Sequence, residues 1–384
     1  GSVREIGDYA FSYKGGVNNV YLPSVRKIGK NAFMNCTVRS VSSIGNLTEI
    51  GDRAFYNCPY LVVFELPDGL ETIGANAFYG CVAITWGDFT LPASVTTVGE
   101  YAFCGNYGIT GFTVPAQLTA IADGMFAQCK NLTKVTLHDN VTEIGGYAFR
   151  KCEALEEIAL PESVTTIGEA CFAETGLKKI ALPSALSEIP AYCFYGDRAL
   201  TEITVPASVT GVGNFAFYQT TALKNLDLAN VRVLGSYALI GSAVETLRAD
   251  RLETVGNYTF FGTAIASLNL PELTVIGDYA FANMEKLTAF SAEKTETVGV
   301  AAFYRTAKLR ELNLPACKDI GDYAFMLASS LEKINLGKLE KLGTYAFYST
   351  RLTKLSLPAT VESIAPGAFI TKAFNSTDAN ILRI

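Results

Sequence analysis

Nine cysteines and one histidine provide the side chains of this 384-residue sequence that are best suited to catalysis or metal binding. Cysteine thiolates bind zinc, attack electrophiles and form disulfides, and each of these uses requires a partner group close by. A zinc site usually has a local Cys-x-x-Cys pair, whereas no two cysteines here are closer than 19 residues. The spacing gives no indication of a metal site, so the thiols have to be interpreted through the elements that position them.

The single histidine, His138, leads to a similar conclusion. A Ser-His-Asp triad, a Cys-His pair or a zinc centre can hardly be assembled around one imidazole in a chain without Cys-x-x-Cys. Aspartate and glutamate are plentiful, so chemistry by a carboxylate pair stays open, although carboxylates scattered over a surface are usually solvated. We predict that the chain is not an enzyme and that it has no cofactor and no metal.

A recurring Ile-Gly-x-x-Ala-Phe motif determines where these residues lie. Its last residue returns every 21 to 25 residues, and we name this position the Phe column. The column has seventeen members: Phe11, Phe33, Phe55, Phe78, Phe103, Phe126, Phe149, Phe172, Phe194, Phe217, Leu239, Phe260, Phe281, Phe303, Phe325, Phe347 and Phe369. A period in this range predicts a solenoid of stacked turns, in which each repeat buries its apolar face against its neighbours.

The first half of a repeat has the pattern of a β-strand. In the repeat from Leu155 to Phe172, Ile158 and Leu160 alternate with residues that point the other way, and Pro161 then ends the strand because it cannot donate a ladder hydrogen bond. Equivalent strands of successive repeats must lie side by side and parallel. We therefore predict one long parallel β-sheet along an arched solenoid.

The second half of the repeat predicts a short helical turn. Val164, Ile167, Cys171 and Phe172 follow the i, i+3, i+7, i+8 spacing of a helix face. Gly168 lies where the chain must turn sharply. An acidic or amide residue often follows this glycine in the repeats, as at the start of a helix.

Five of the nine cysteines share one position, three residues after the Phe column: Cys36, Cys58, Cys81, Cys129 and Cys152. Later repeats place serine or threonine there, as at Thr220 and Ser242. This exchange among small side chains predicts an inward-facing position. We therefore predict buried free thiols, which behave as small apolar side chains, and no disulfides.

The complete pattern, L-x-x-I-x-L-P-x-x-V-x-x-I-G-x-x-A-F-x-x-C, resembles the BspA-like leucine-rich repeat family from about Ile6 to Phe369. The resemblance implies a bacterial cell-surface or otherwise extracellular protein that binds or adheres to a partner, and it implies no catalytic residues. The sequence departs from the pattern in three ways: the motif glycine is replaced at Ala122, Pro190 and Ala365, the column phenylalanine is replaced at Leu239, and residues 225 to 255 lack the strand-ending proline.

Charge and hydropathy restrict the possible partners. The net charge is −6, and residues 54 to 129 contain six acidic residues with no lysine or arginine, whereas residues 305 to 355 contain nine basic and five acidic ones. Nucleic-acid binding requires a basic stripe, which the overall balance disfavours. No apolar run approaches the roughly 18 residues of a membrane span. We expect no nucleic-acid partner and no membrane insertion, and the oligomeric state stays open.

The longest repeat, between Phe78 and Phe103, contains the only tryptophan, Trp86, beside two inserted residues. An insertion next to a strand predicts a β-bulge, and bulges often redirect side chains at functional places. Three further residues make this a candidate glycan- or protein-binding patch of rings and carboxylates: Tyr60, Asp88 and Tyr107. The alternative, which we favour, is a tolerated insertion whose tryptophan packs on its own repeat.

A second candidate lies on the outward strand positions, which are polar, small and mixed in charge. The segment from Asn225 to Asn269 includes Asp227 and Arg248 and coincides with repeats that lack the strand-ending proline. Tyrosine recurs two residues before the Phe column. That regularity favours half-buried rings that cover the stack, because a binding site should be local.

We therefore predict a single leucine-rich-repeat solenoid over residues 1–384, with residues 370–384 as a closing segment. Its expected function is that of a non-enzymatic extracellular binding or adhesion module with a protein or glycan ligand. The alternative is a structural stalk of a cell-surface protein. A binding module should have a surface patch that departs from the average repeat, whereas a stalk should have none.

Overall fold

The structure is a computed structural model that describes residues 2–353, 355–370 and 382–383. The chain forms two compact units, Gly1–Leu186 (unit 1) and Ser187–Ile384 (unit 2). Each unit is a parallel β-solenoid built from short strands of successive turns, so the predicted repeat fold is confirmed. The prediction of one uninterrupted solenoid over residues 1–384 stays a prediction.

The first row of strands precedes the motif glycine, where a β-branched or leucine side chain points inward and is almost always buried. In unit 1 its strands are Glu5–Ile6, Lys27–Ile28, Glu49–Ile50, Thr72–Ile73, Thr97–Val98, Ala120–Ile121, Glu143–Ile144 and Thr166–Ile167. In unit 2 they are Glu188–Ile189, Gly211–Val212, Val233–Leu234, Thr254–Val255, Val275–Ile276, Thr297–Val298, Asp319–Ile320, Lys341–Leu342 and Ser363–Ile364. Neighbouring strands pair without a shift, as Ile28 with Ile50.

The second row comes from the L-x-x-I-x-L half of the repeat and carries the outward polar positions. In unit 1 its strands are Asn19–Tyr21, Ser40–Ser42, Val63–Phe64, Gly87–Thr90, Ile109–Thr113, Lys134–Thr136 and Lys179–Ala181. In unit 2 they are Glu202–Thr204, Asn225–Asp227, Thr246–Arg248, Ser267–Asn269, Ala289–Ser291, Glu311–Asn313, Lys333–Asn335, Leu355–Ser356 and Leu382–Arg383. Each unit thus has two parallel rows where the sequence predicted one sheet.

The segment around the Phe column is not helical, so the prediction of short helical turns is wrong. The backbone N–H groups of Tyr9, Phe11 and Tyr13 donate to carbonyl oxygens of the next turn at 2.9, 2.7 and 2.8 Å. Tyr9 and Tyr13 have φ of 57°, and the residues between them close β-turns instead of a helix. The spacing was misleading because a stacked turn supplies acceptors for N–H groups that an isolated helix would satisfy internally.

The acidic and amide residues after the motif glycine have a different role from the predicted helix start. The Oδ1 atoms of Asp8, Asp123 and Asp278 accept the backbone N–H of the residue at the same position one turn later, at 2.7, 2.6 and 2.8 Å. The preference for an oxygen acceptor was therefore predicted correctly, but the acceptor links two turns rather than capping a helix.

The core of each unit is a stack of phenylalanine rings. Phe126, Phe149 and Phe172 are fully buried, and their ring centroids lie 6.0 and 5.9 Å apart with nearly parallel planes. The motif glycine brings the turns this close: a Cβ atom on Gly168 would lie 2.2 Å from the backbone nitrogen of Gly146. Steric contact with the neighbouring backbone therefore accounts for the recurrent glycine.

The departures from the repeat pattern leave the turns in register. Ala122 directly follows the strand Ala120–Ile121, which still pairs with Glu143–Ile144. Leu239 is fully buried in the Phe column, and its N–H donates to the carbonyl of Thr259 at 3.0 Å. Both substitutions are thus absorbed within the stack.

The last described strand, Leu382–Arg383, pairs in parallel with Leu355–Ser356. Residues 371–381 and 384 lie outside the described part of the chain. The role of residues 370–384 as a closing segment therefore remains a prediction.

Candidate functional site

All nine cysteines are buried thiols, as predicted. The thiols of Cys58, Cys81 and Cys129 donate to the carbonyl oxygens of the column phenylalanines one turn earlier, at 2.9 to 3.2 Å. Threonines at the same position bond the column residue of their own turn, as Thr220 does with Phe217 at 2.9 Å. Among the described residues, no three cysteine, histidine or acidic side chains are grouped to hold a metal ion.

Burial makes these thiols chemically inert, which leads to a direct prediction. It raises the pKa of Cys58, Cys104 and Cys317 from 9.0 to about 12. We expect no labelling of the native protein by a thiol reagent at pH 8, and labelling of all nine cysteines in denaturant. The free energy of unfolding should also fall as the pH rises above about 9, because the unfolded thiols ionise there while the folded ones keep their protons. Rapid labelling of the folded protein would contradict this prediction.

His138 is half-buried and occupies the end of a strand segment, in the position of the strand-ending proline. Its Nε2 lies 2.9 Å from the carbonyl oxygen of Pro115, and its Nδ1 accepts the N–H of Asn140 at 3.1 Å. These contacts fit a neutral ring with the proton on Nε2. Both ring nitrogens are therefore engaged with the backbone, and the side chain holds two turns together.

The second strand row is irregular beside the inserted segment that contains Trp86, but the extra residue lies in the neighbouring strand, whereas the sequence predicted a bulge in the inserted segment itself. Ile109 pairs with Gly87 but Gly111 pairs with Asp88, so the extra residue bulges from the strand Ile109–Thr113. Gly87 has φ of 65°, a conformation that glycine adopts without strain.

Trp86 is a packing residue in this arrangement. Its indole N–H donates to the carbonyl oxygen of Phe64 at 2.6 Å. The ring lies 5.1, 5.2 and 5.5 Å from the rings of Phe78, Phe89 and Phe103. This is the packed alternative that the sequence favoured, and it leaves the half-buried indole as a support beneath the surface.

The other three residues of this candidate patch are on the surface. Tyr60 is 54% exposed and Tyr107 is 40% exposed, and within the described residues neither ring stacks on another. Asp88 is exposed in the strand Gly87–Thr90, with its carboxylate above Gly111, where a Cβ atom would come within 2.5 Å of Oδ1. Tyr60 and Tyr107 occupy turn tips, whereas Asp88 belongs to the strand row.

The second candidate, Asp227 and Arg248, is brought together by strand register. The two residues are direct partners in the parallel strands Asn225–Asp227 and Thr246–Arg248, and Arg248 Nη1 lies 3.6 Å from Asp227 Oδ2. Arg248 Nε also donates to Asp250 Oδ2 at 2.8 Å, and these carboxylates raise the pKa of the guanidinium. Asp227 Oδ1 accepts the N–H of Ala229 at 3.0 Å. This charged group is mostly exposed.

The strand face around this pair forms an open depression of about 660 Å³. Six of its lining residues come from three neighbouring strands: Glu202, Asn225, Leu226, Asp227, Thr246 and Arg248. A second depression of about 790 Å³ lies on the same row at the strands Glu311–Asn313 and Lys333–Asn335. There Lys333 Nζ lies 2.7 Å from Glu311 Oε1 and Asn335 donates to Asn313 at 2.8 Å. Each pair joins outward strand positions that are 22 residues apart, which is one turn of the repeat.

The recurrent tyrosines form stacked columns. The rings of Tyr192, Phe215, Tyr237, Tyr258 and Tyr279 in unit 2 follow one another at 4.7 to 5.0 Å with interplanar angles of 8° or less. All five are half-buried. The faces of these five rings are therefore occupied by each other, as the structural interpretation of the recurrence predicts, whereas Tyr9, Tyr323 and Tyr345 at the same position are exposed.

Solved structures provide a comparison for this fold. The chain is similar to a leucine-rich repeat protein from Bacteroides ovatus, with 26% identity and a TM-score of 0.63 over 94% of this chain and 84% of that chain. A leucine-rich repeat protein from Eubacterium ventriosum is 22% identical, with a TM-score of 0.51 over 75% and 83% of the two chains. A leucine rich cell surface protein from Faecalibacterium prausnitzii is 21% identical, with a TM-score of 0.43 over 87% and 83%.

The sequence matches no curated protein. No described segment forms a helix with the length and hydropathy needed to cross a membrane. The model of the BspA type leucine rich repeat region, which comprises six copies, matches residues 4–133, 119–245 and 253–375. With the stacked turns and the motif spacing described above, this match shows that the chain belongs to the BspA-type leucine-rich repeat family.

Proposed function

We propose that the chain is a non-enzymatic extracellular binding or adhesion module that recognises a protein partner through the strand face of unit 2. The observation that carries this proposal is the depression around the Asp227–Arg248 pair, where both charges are 63% exposed. Membership of a family associated with bacterial surfaces supports the extracellular location. The buried thiols and the backbone contacts of His138 support a non-enzymatic role.

The chemistry of this face suits a polar protein surface. It offers a guanidinium, several carboxylates and several amides within a few turns, so it has donors and acceptors of both charges. Exposed charges of this kind contribute more to partner selection and association rate than to affinity. The depression contains no aromatic anchor, and aromatic anchors usually dominate tight interfaces. We therefore expect specific but moderate affinity that weakens with salt.

The test is binding of the intact chain to a panel of extracellular-matrix proteins and to a glycan array. For a panel hit, Asp227→Ala and Arg248→Ala should each weaken binding about tenfold. The matched control is Glu157→Ala with Lys179→Ala, which removes a similar exposed cross-turn pair at 3.4 Å in unit 1. Circular dichroism would verify that all variants are folded.

The possible outcomes separate the competing functions. A protein hit that is weakened by the unit 2 variants but not by the control supports the proposal. A hit that all variants retain would place binding elsewhere, and binding only to the glycan array would contradict a protein partner. Silence on both panels would favour the structural stalk.

A further inference from the structure

Five successive turns of unit 2 carry an aromatic ring two residues before the Phe column. They form the stacked row of Tyr192, Phe215, Tyr237, Tyr258 and Tyr279. In unit 1 the same position is interrupted by other residue types: Asn31, Arg53, Asn76, Gly124 and Ala170. The unbroken row is thus a departure from the average repeat, of the kind that a binding module should have and a stalk should lack.

A second row of rings accompanies the first. Its members directly follow the Phe column and are Tyr195, Tyr218 and Phe261. Within a turn, the ring centroids of the two rows lie 5.9, 5.8 and 5.7 Å apart, and the ring planes are inclined by 46 to 58°. All eight side chains are half-buried, so part of each ring is exposed. We name this surface the double ring row.

The backbone holds the double ring row in place. Tyr192, Tyr237 and Tyr258 have φ of 57°, 60° and 57°. Their N–H groups donate to carbonyl oxygens of the next turn at 2.9, 2.8 and 2.8 Å. A surface that is ordered before binding loses little conformational entropy when a partner binds, so apolar contact there contributes more of its free energy to affinity.

The flanks of the double ring row carry almost no charge. Among the residues three before and two after the Phe column in these five turns, only Asp278 is charged, and its Oδ1 accepts the N–H of Val300 at 2.8 Å. Arg198 borders the row and donates to Oε1 of Gln219 at 3.4 Å. In unit 1 the position three before the Phe column is charged in most turns, as at Asp8, Lys30, Asp52, Glu100, Asp123 and Glu169. The double ring row therefore favours an uncharged ligand, since a charged one would lose hydration without gaining a counter-charge.

The spacing of the rings matches one peptide conformation. Consecutive rings of the first row lie 4.7 to 5.0 Å apart. A polyproline II helix rises about 3.1 Å per residue with three residues per turn, so it repeats after about 9.3 Å, close to twice the ring spacing. Such a helix along the row would present the same face to every second ring. A β-strand repeats after two residues, or about 6.6 Å, and does not match.

Two exposed amides provide hydrogen-bond donors at the same interval. Oδ1 of Asn214 accepts the N–H of Ser236, and Oδ1 of Asn257 accepts the N–H of Asp278, both at 2.8 Å. In the described part of the chain, the Nδ2 groups of these two asparagines donate to no other residue. Asn214 and Asn257 lie two turns apart, and a polyproline II helix has no internal hydrogen bonds, so its carbonyl oxygens need donors of this kind.

We propose that the double ring row is a docking surface for an uncharged, proline-rich segment of a protein partner in the polyproline II conformation. Its prolines pack on the rings, while tyrosine hydroxyls and the amides of Asn214 and Asn257 donate to its carbonyl oxygens. A neutral polysaccharide fits less well, because sugar rings stack on open aromatic faces and the faces of the first row are covered by neighbouring rings. The double ring row is built from the turns around the Phe column and not from the strand face around Asp227 and Arg248.

The test uses isothermal titration calorimetry of the intact protein with a synthetic peptide of repeated Pro-Pro-Leu. We expect saturable binding that does not weaken when salt is raised from about 0.05 to about 0.5 M, because the peptide carries no charge at the contact. The same peptide with glycine in place of proline should bind about tenfold more weakly, since it loses the preformed conformation.

Variants locate the site. Tyr218→Ala combined with Phe261→Ala, and separately Ile240→Lys, should each weaken binding about tenfold. Ile240 lies between these two rings in the second row, so lysine there places a charge in the middle of the surface. Tyr237→Phe keeps the ring and removes one hydroxyl, and it should weaken binding about threefold.

The matched control is Tyr56→Ala with Tyr79→Ala, which removes a stacked pair of rings from the same repeat position in unit 1. Both this control and Asp227→Ala should leave peptide binding unchanged. Circular dichroism of each variant would verify that it is folded at the assay temperature.

Three results would overturn the proposal. The first is peptide binding that is absent, that all variants of the double ring row retain, or that the glycine peptide equals. The second is binding of a linear neutral glucan, weakened by the same variants, without binding of the proline peptide. The third is a concentration-dependent increase in mass by light scattering that Ile240→Lys abolishes, since the occupant would then be a second copy of this chain.

Discussion

Phe103→Ala should lower the free energy of unfolding of unit 1 by about 3–5 kcal/mol, the range for removing a large buried aromatic side chain. Phe103 is fully buried, and its ring contacts four others: Phe78, Trp86, Phe89 and Phe126. Alanine would leave a cavity that the stacked turns cannot close, because their spacing is set by backbone hydrogen bonds on both sides. Urea denaturation followed by Trp86 fluorescence measures the change in the unit that contains it.

Phe103→Leu is the matched control for this cavity. Leucine occurs naturally in the Phe column at Leu239, where it is fully buried. We expect Phe103→Leu to cost less than half as much as alanine, since most of the volume is retained. Equal losses for the two variants would mean that ring stacking, and not filled volume, determines the stability of the column.

Gly108→Ala should destabilise unit 1 by about 1–3 kcal/mol, although it adds only one methyl group. The Cβ atom would lie 1.6 Å from the carbonyl oxygen of Ile84 and 2.7 Å from its carbonyl carbon. Both contacts are with backbone, so no side-chain rotation can relieve them. The turn after Phe103 would have to move away from the preceding one, and thermal denaturation should detect the loss.

Gly69→Ala is the control for the effect of glycine replacement itself. A Cβ atom on Gly69 would meet nothing within 4 Å. Alanine there should leave stability unchanged or raise it by about 0.4–1 kcal/mol through a smaller entropy of the unfolded chain. A Gly108→Ala protein as stable as Gly69→Ala would show that the turn after Phe103 shifts easily, and would contradict the prediction.

The chemical character of the cysteines followed from the sequence alone, because it depends on a local pattern. Cysteine, serine and threonine exchange at one position of the repeat, and only a small inward site tolerates all three. The structure confirms this with buried thiols that donate to phenylalanine carbonyls of the preceding turn. The identity of the acceptor was not predictable, since it belongs to a different repeat.

The helical interpretation of the segment before Phe172 failed for a related reason. The i, i+3, i+7, i+8 spacing shows which side chains share a face, and the side chains of consecutive β-turns can share a face in the same way. Whether the segment forms a helix or β-turns depends on where its backbone N–H groups find acceptors. In this fold they find them in the next turn, as Phe149 does in Cys171 at 2.9 Å.

By itself, the sequence determined the repeat fold, the family and the division between inward and outward positions, since these depend on residue types at a fixed period. The tertiary structure alone decided which residues meet across turns. It packed Trp86 against the rings of Phe78 and Phe103 and paired Arg248 with Asp227. Such contacts join residues some twenty positions apart, and they depend on strand register and on the exact path of each turn, which no local pattern specifies.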